Sequence, residues 1–249
     1  MACDTCGTFE TFSEVYPNLL EAAWLKEKDL LKNFFSSVDV NTPLRCPLFA
    51  DARVVLQLPP RQKILYWAAE ASAQREYQQR MYRAKRSYDF FANCGVAESD
   101  GRGRCLCALR TPAIYKSKLK GKTRYWPRHL HFVLLEGDSW GTQCYTKVLL
   151  PELSLDRVKQ AIEQEVTTCC PLKQLPLIPG SQFAFGPKDL HARGVRQKDP
   201  IIVYCANRDC PAAMKLAERL LRGGFVNVFH FPGGVEEFQA QQNQRRLRE

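Results

Sequence analysis

Two groups of residues in this sequence have types and spacings suited to chemistry. Cys205 directly follows the apolar run Ile201-Ile-Val-Tyr204, and Cys210 precedes Pro211, where a helical pattern begins. A thiol at such a strand-to-helix junction meets backbone N–H groups that curl around an anion, together with the positive end of a helix dipole. Both favour the thiolate, which is the nucleophile. Such a thiolate attacks a sulfane sulfur and holds it as a persulfide, and a second thiol resolves the persulfide as a disulfide. The other group is His129-Leu130-His131. Alternation along a strand puts both imidazoles on one face, about 6–7 Å apart, an arrangement that suits a shared Fe, Zn or Cu ion. Cys3-x-x-Cys6, Cys105-x-Cys107 and Cys169-Cys170 each supply half of a zinc signature without the paired spacing that completes one. Cys46, Cys94 and Cys144 read as free buried thiols.

These residues need elements to position them. Leu20, Trp24, Leu31 and Phe34–Phe35 recur at helical spacing and predict a helix over 16–36. Residues 52–58 alternate as a strand up to Pro59-Pro60, and residues 63–69 read as a second strand. Tyr77, Met81, Ala84, Tyr88 and Phe91 fall at steps of four, three, four and three, which predicts a helix with one apolar face. Short strands follow at 96–98, 105–110, 128–135 and 142–150, with a Ser99-Asp100-Gly101 turn among them. Residues 155–166 read as a helix with Ser154 as N-cap. The end of the chain alternates cleanly. Strand 201–204 leads to a helix with Pro211 at its first position, stopped by Gly223-Gly224; strand 226–231 and a Gly233-Gly234 turn then lead into a last helix. That order is α/β syntax.

Over residues 176–240 the chain resembles the C-terminal half of a rhodanese-like domain. The likeness runs through Leu177-Ile-Pro-Gly-Ser181, Ile201-Ile-Val-Tyr-Cys205-Ala-Asn-Arg-Asp-Cys210-Pro, Arg222-Gly-Gly-Phe225 and Phe231-Pro-Gly-Gly234-Val-Glu-Glu-Phe238. It implies that Cys205 carries the persulfide and that residues 206–210 form its cradle. Cys210 stands where the family often has Arg, Asp209 adds negative charge, Phe238 stands where Trp is usual, and the upstream Asp-x-Arg signature is not recognisable. Arg208 compensates in part for the lost Arg. Residues 50–150 in turn resemble the β-sandwich of intradiol ring-cleavage dioxygenases, through the order Trp67, Asp100-Gly101, Thr111-Pro112-Ala-Ile-Tyr115, Pro127-Arg-His-Leu-His-Phe132 and Gly141-Thr-Gln-Cys-Tyr145. This likeness implies a ferric ion on Tyr115, His129 and His131. A further Tyr should lie beyond Trp67, for which Tyr77 and Tyr82 are candidates; Tyr77 also fits the apolar helix stripe. The lysine-rich 116–124 insert is a poor lining for the desolvated cavity that phenolate ligation needs. The pairing of the two modules resembles proteins encoded by large DNA viruses, which implies a virion or minor capsid role.

The 249 residues are 45% hydrophobic and 25% charged, so the chain is globular rather than disordered. Charge is unevenly spread. Residues 48–150 carry 18 Lys/Arg against 8 Asp/Glu, as large a surplus as the whole chain's +10. Arg75, Arg80, Arg83, Lys85 and Arg86 crowd one stretch of it, and Lys116, Lys118, Lys120, Lys122, Arg124 and Arg128 another. Such a region is compatible with nucleic acid, with an acidic protein, or with a plain solvated face. No apolar run is long enough for a membrane span. The N-terminus has neither the basic nor the apolar region of a secretory signal, so 11 Cys imply a reducing, intracellular setting, cytoplasm or virion. The expected architecture is α+β and multidomain: a helical segment over 1–47, a basic β-sandwich with a helical insertion over 48–150, and a small rhodanese-like α/β module over 151–249. The expected role is a structural or docking protein in a larger assembly, built on enzyme folds. The alternative is a sulfurtransferase acting through Cys205, with Arg208 and Cys210 beside it.

Overall fold

Every second residue of Ala52–Gln57 is buried and its neighbours face outward, the two-residue period of a half-covered strand. The computed structural model describes residues 7–12, 28–70, 82–83, 87–88, 91–119 and 122–246, and the chain divides into two compact units, Met1–Leu149 and Leu150–Glu249. In the first unit the elements run β1 (Gly7–Phe12), α1 (Lys28–Ser37), β2 (Ala52–Gln57), β3 (Lys63–Ala68), β4 (Tyr82–Arg83) and β5 (Cys94–Glu98). They continue with β6 (Arg104–Leu109), β7 (Tyr115–Leu119), β8 (Lys122–Trp126), β9 (His129–Glu136), β10 (Ser139–Trp140) and β11 (Tyr145–Pro151). One eight-stranded sheet follows the order β5-β3-β9-β11-β1-β2-β6, with β10 on β9; β4, β7 and β8 form a separate small sheet.

Strands β3 and β9 are buried on both faces. On one face, Ile64, Tyr66 and Ala68 of β3 and Leu130 and Phe132 of β9 join Val54, Leu56, Cys105, Cys107 and Leu109 in a single apolar core. On the other face stand Trp67, His129 and His131. Trp67 and His131 are cross-strand partners with their rings stacked 5.6 Å apart. Phe34 and Phe35 of α1 and Phe91 close over Trp67, with Phe34 and Phe91 stacked at 4.0 Å. The indole N–H of Trp140 ties the end of α1 down through the Val38 carbonyl, 2.7 Å away.

The helix expected over 16–36 is present as Lys28–Ser37; residues 13–27 lie outside the described residues. So do 77–81, 84–86 and 89–90 of the expected Tyr77–Phe91 helix, while Tyr82–Arg83 is extended and pairs in parallel with Tyr115–Lys116. The lysine-rich stretch is an antiparallel hairpin, β7–β8, in which Tyr115 stands opposite Trp126. No helix among the described residues is long and apolar enough to cross a membrane.

The second unit contains α2 (Leu155–Glu163), β12 (Thr167–Cys170), β13 (Gln182–Phe183), α3 (Pro187–Ala192), β14 (Ile201–Tyr204), α4 (Ala212–Arg222), β15 (Val228–Phe231) and α5 (Gly234–Arg246). Its sheet runs β13-β12-β14-β15, parallel throughout. Strand β14 is apolar and buried at all four positions, as an interior parallel strand must be. Ala213, Leu216, Ala217, Leu220 and Leu221 form the buried stripe of α4. Pro211 occupies the N-cap of α4 rather than its first helical position, and Ser154 caps α2 without a side-chain hydrogen bond. The chain as a whole is a mixed α/β structure with several sheets.

Between β3 and β5 a buried amide fixes the backbone. Asn93, fully buried, donates to the carbonyls of Ala69 (2.8 Å) and Arg110 (2.9 Å) and accepts from the Arg110 N–H (2.9 Å). The neighbouring Ser87 carbonyl accepts from Glu70 N–H, and Phe91 N–H donates to Tyr88 O, so residues 87–88 and 91–93 are held along the end of β3. Each buried backbone group that loses its partner costs about 1–3 kcal/mol. Asn93→Ala is therefore expected to destabilise the first unit by about 2–4 kcal/mol in urea unfolding.

Candidate functional site

Strand alternation puts the His129 and His131 rings 4.6 Å apart on the face of β9 turned away from the core. The β7–β8 hairpin returns the chain so that Tyr115, opposite Trp126, also reaches His129. Three donor atoms converge there. Tyr88 Oη lies 2.9 Å and Tyr115 Oη 3.2 Å from His129 Nε2, and the two phenol oxygens are 3.5 Å apart. The point equidistant from the three is about 1.9 Å from each, close to the roughly 2.0–2.2 Å of metal–nitrogen and metal–oxygen bonds. All four residues are at most 3% exposed. His129 Nδ1–H donates to the Pro127 carbonyl at 2.7 Å, which leaves the Nε2 lone pair facing the phenols. His131 Nδ1 is held by Thr146 Oγ1 at 2.8 Å. Burial pushes His129 down to about 4 against the pull of Pro127, and burial with the neighbouring His129 takes His131 well below the usual histidine range. Burial and the adjacent Tyr115 hold Tyr88 well above the ordinary phenol range.

Tyr115, His129 and His131, the three ligands expected from the sequence, thus come together, and Tyr88 joins them. Tyr77 lies outside the described residues, and Tyr82 is in β4. Tyr88 was hidden by its fit to a helical stripe; its sole local signal is its place just before β5. Among the described residues no three His, Cys, Asp or Glu side chains are grouped to hold a metal. The donors of this cluster are two imidazoles and two phenols.

In the second unit, β14 delivers Cys205 to the carboxyl edge of the parallel sheet. The Cys205 and Ala206 carbonyls accept from the Val235 and Glu236 N–H groups at the start of α5, each at 3.0 Å. Gly234 makes this possible: it has φ +57°, and a Cβ there would stand 2.3 Å from the Cys205 oxygen. With those carbonyls turned toward α5, the Ala206 and Ala213 N–H groups reach Cys205, and those of Ala206 and Ala212 reach Cys210. The Cys205 sulfur also lies against residue 210 itself. Cys205 is 1% exposed, and its thiol donates to the Cys210 carbonyl at 3.0 Å. Burial pushes Cys205 up to about 11. Burial opposes ionisation of Cys210 too, yet the Cys205 hydrogen bond and the two amides outweigh it and hold Cys210 below the ordinary thiol range. Upstream, the Ile178 N–H donates to the Tyr204 hydroxyl at 3.0 Å, and Ser181 bonds that same hydroxyl, pinning the 177–181 segment to the end of β14. The rhodanese-like domain family matches residues 172–241. This stretch is a rhodanese-like domain. No curated relative matches the chain.

Within the rhodanese-like domain, Cys205 and Cys210 come together as expected, but Arg208 commits its guanidinium to Glu152, at 3.1 and 3.4 Å, and anchors the loop's tip. Phe238 packs at the start of α5 with the Lys159 ammonium over its ring. Elsewhere Cys46 is exposed and Cys94 and Cys144 are half-buried, where all three were expected to be buried. Cys3 and Cys6 lie outside the described residues. Arg128, counted in the basic surface, is 2% exposed and belongs to the interior; Lys116, Lys122 and Arg124 are exposed.

Missed by sequence reasoning was His230 on β15, 3% exposed, whose ring nitrogens find no hydrogen-bond partner among the described residues. Burial lowers it to about 4, with Glu152 pulling upward and Arg208 downward. The unfolded chain takes up this proton near pH 6.5 and the folded domain only near 4, so stability rises with pH across that window and is lost on acidification. Between pH 6.5 and 5 His230 should remove about 2 kcal/mol, at about 1.4 kcal/mol per unit. Urea unfolding across this range should steepen accordingly in the native chain and flatten in His230→Leu.

Proposed function

We propose that the rhodanese-like domain performs thiol-dependent sulfur-atom transfer. The observation that carries this reading is the loop that sets Cys205 against Cys210, its sulfur 3.0 Å from the Cys210 carbonyl, while the Cys205 and Ala206 carbonyls are turned away to α5 and the Ala206, Ala212 and Ala213 amides favour sulfur anions. Amide dipoles and the start of α4 stabilise negative charge on sulfur. A thiolate of the pair forms a bond to the outer sulfur of a donor such as thiosulfate. The donor's S–S bond breaks, and its electron pair leaves on sulfite. The protein then holds a persulfide for an acceptor. Incubation with thiosulfate should release sulfite from the native chain and none from Cys205→Ser/Cys210→Ser. Equal release from both proteins would refute the reading.

A second reading, carried by the convergence of Tyr88, Tyr115 and His129 with His131 beside them, is a metal centre in the first unit. The donor set fits ferric iron, for which phenolate and imidazole are suitable ligands. Neutral imidazoles held at Nδ1 present Nε2 as the ligating atom. Bound there, the ion would supply a Lewis acid for an aromatic diol, the chemistry implied by the likeness to intradiol dioxygenases and their β-sandwich. The residues themselves hold the donors in place, exclude water and give up the phenol protons. Loading with ferric iron should bring about one equivalent of metal and a visible phenolate-to-iron band, and Tyr115→Phe should weaken both. Protein that stays colourless and metal-free after loading sinks this reading. A docking role in a larger assembly, such as a virion, draws support from exposed Leu44, Leu48, Phe49, Val55 and Leu106, and from exposed Lys116, Lys122 and Arg124.

A further inference from the structure

We infer that the two thiols of the rhodanese-like domain divide the reaction, Cys210 attacking the sulfur donor and Cys205 resolving the persulfide, so that the domain releases sulfide and ends as a disulfide. This rests on the sulfur-transfer reading and deepens it. Access decides the first role: Cys210 is only half-buried on the loop, whereas Cys205 is 1% exposed. Hydrogen-bond polarity agrees. The Cys205 thiol donates to the carbonyls of Cys210 at 3.0 Å and Asn207 at 3.7 Å, contacts that favour S–H over S⁻. Cys210 has the Ala206 and Ala212 amides beside it, whose N–H groups favour the thiolate. Proximity decides the second role, because the Cys205 sulfur lies 3.0 Å from the carbonyl oxygen of Cys210.

The steps balance. The Cys210 thiolate bonds to the outer sulfur of thiosulfate, and sulfite leaves with the electron pair of the broken S–S bond. The Cys205 thiol passes its proton to the departing sulfur and bonds to Cys210 Sγ. The persulfide S–S bond breaks, and its pair leaves as hydrosulfide. Two thiols are oxidised to a disulfide, and the sulfane sulfur is reduced to sulfide. An external dithiol would reduce the disulfide between turnovers.

The test is a single turnover of the full, pre-reduced chain with thiosulfate, reading sulfite, sulfide and intact mass. Native protein should yield about one equivalent each of sulfite and sulfide and a Cys205–Cys210 disulfide. Cys205→Ser, with Cys205→Ala as a second version checked by thermal melting, should still release sulfite, retain a one-sulfur adduct on Cys210 and release no sulfide. Cys210→Ser should lose sulfite release by at least about 100-fold. Cys170→Ser should match the native protein, since Cys170 is buried with its thiol on the Leu172 carbonyl. A persulfide on Cys205 in Cys210→Ser, with sulfite still released, overturns the division of roles and leaves sulfur transfer standing. Loss of sulfide release in Cys170→Ser overturns Cys205 as the resolving thiol. No sulfite from the native protein overturns sulfur transfer itself.

Discussion

The first unit depends on strands β3 and β9 being covered on both faces. A strand gives its side chains alternately to two sides, so a strand buried on both can pack a core with one set and hold chemistry with the other. Ile64, Tyr66, Leu130 and Phe132 take the core side. Trp67, His129 and His131 take the reverse side, where Phe34, Phe35 and Phe91 shut water out. Burial on that side keeps both histidines neutral and makes Tyr88 resist ionisation.

In the rhodanese-like domain the corresponding constraint is one of backbone direction. A peptide unit cannot turn its carbonyl one way without turning its N–H the other way. By accepting from Val235 and Glu236, the Cys205 and Ala206 carbonyls fix which way the loop's amides face. Gly234 permits the approach because any side chain there would collide with the Cys205 oxygen. The sequence Gly-Gly-Val-Glu-Glu is thus part of the thiol site, although its side chains touch neither sulfur in the contacts described. Asn207, donating to Glu236 at 2.7 Å, and Arg208, paired with Glu152, hold the rest of the loop against that frame.

Legibility in the sequence followed local signal strength. β14, α4, β15 and α5 were readable because an apolar run, a 3.6-residue stripe and glycine stops all agreed on them. Helix α2 ends three residues before its expected limit, at Glu163, because Glu165 takes φ 59°, a turn that glycine normally announces. β12 then follows without a Pro or Gly to mark it. The β7–β8 hairpin was read as an insert because its Lys and Arg side chains obscure the alternation. Charge counting could not show that Arg128 points inward, since burial of a guanidinium depends on tertiary neighbours. At the candidate sites, His-x-His and Cys205…Cys210 carry their geometry in their spacing. Tyr88 does not, for its distance from His129 is set by tertiary bonds such as Glu70 N–H to the Ser87 carbonyl and those of Asn93.

Both sites face the same electrostatic problem and meet it differently. A buried sulfur or phenol oxygen that must become an anion needs positive partners to replace water. At the thiols, fixed dipoles supply them: amide N–H groups and the start of α4 reach the sulfurs, and they favour Cys210 over Cys205 because carbonyl oxygens also crowd the latter. At the phenols, Tyr88 bonds another phenol and a neutral imidazole, and burial holds it in the protonated form. A cation placed among such donors would favour the phenolate, as the backbone amides favour the thiolate. Burial suppresses ionisation at both sites, and at the thiols the compensating charge is built into the backbone.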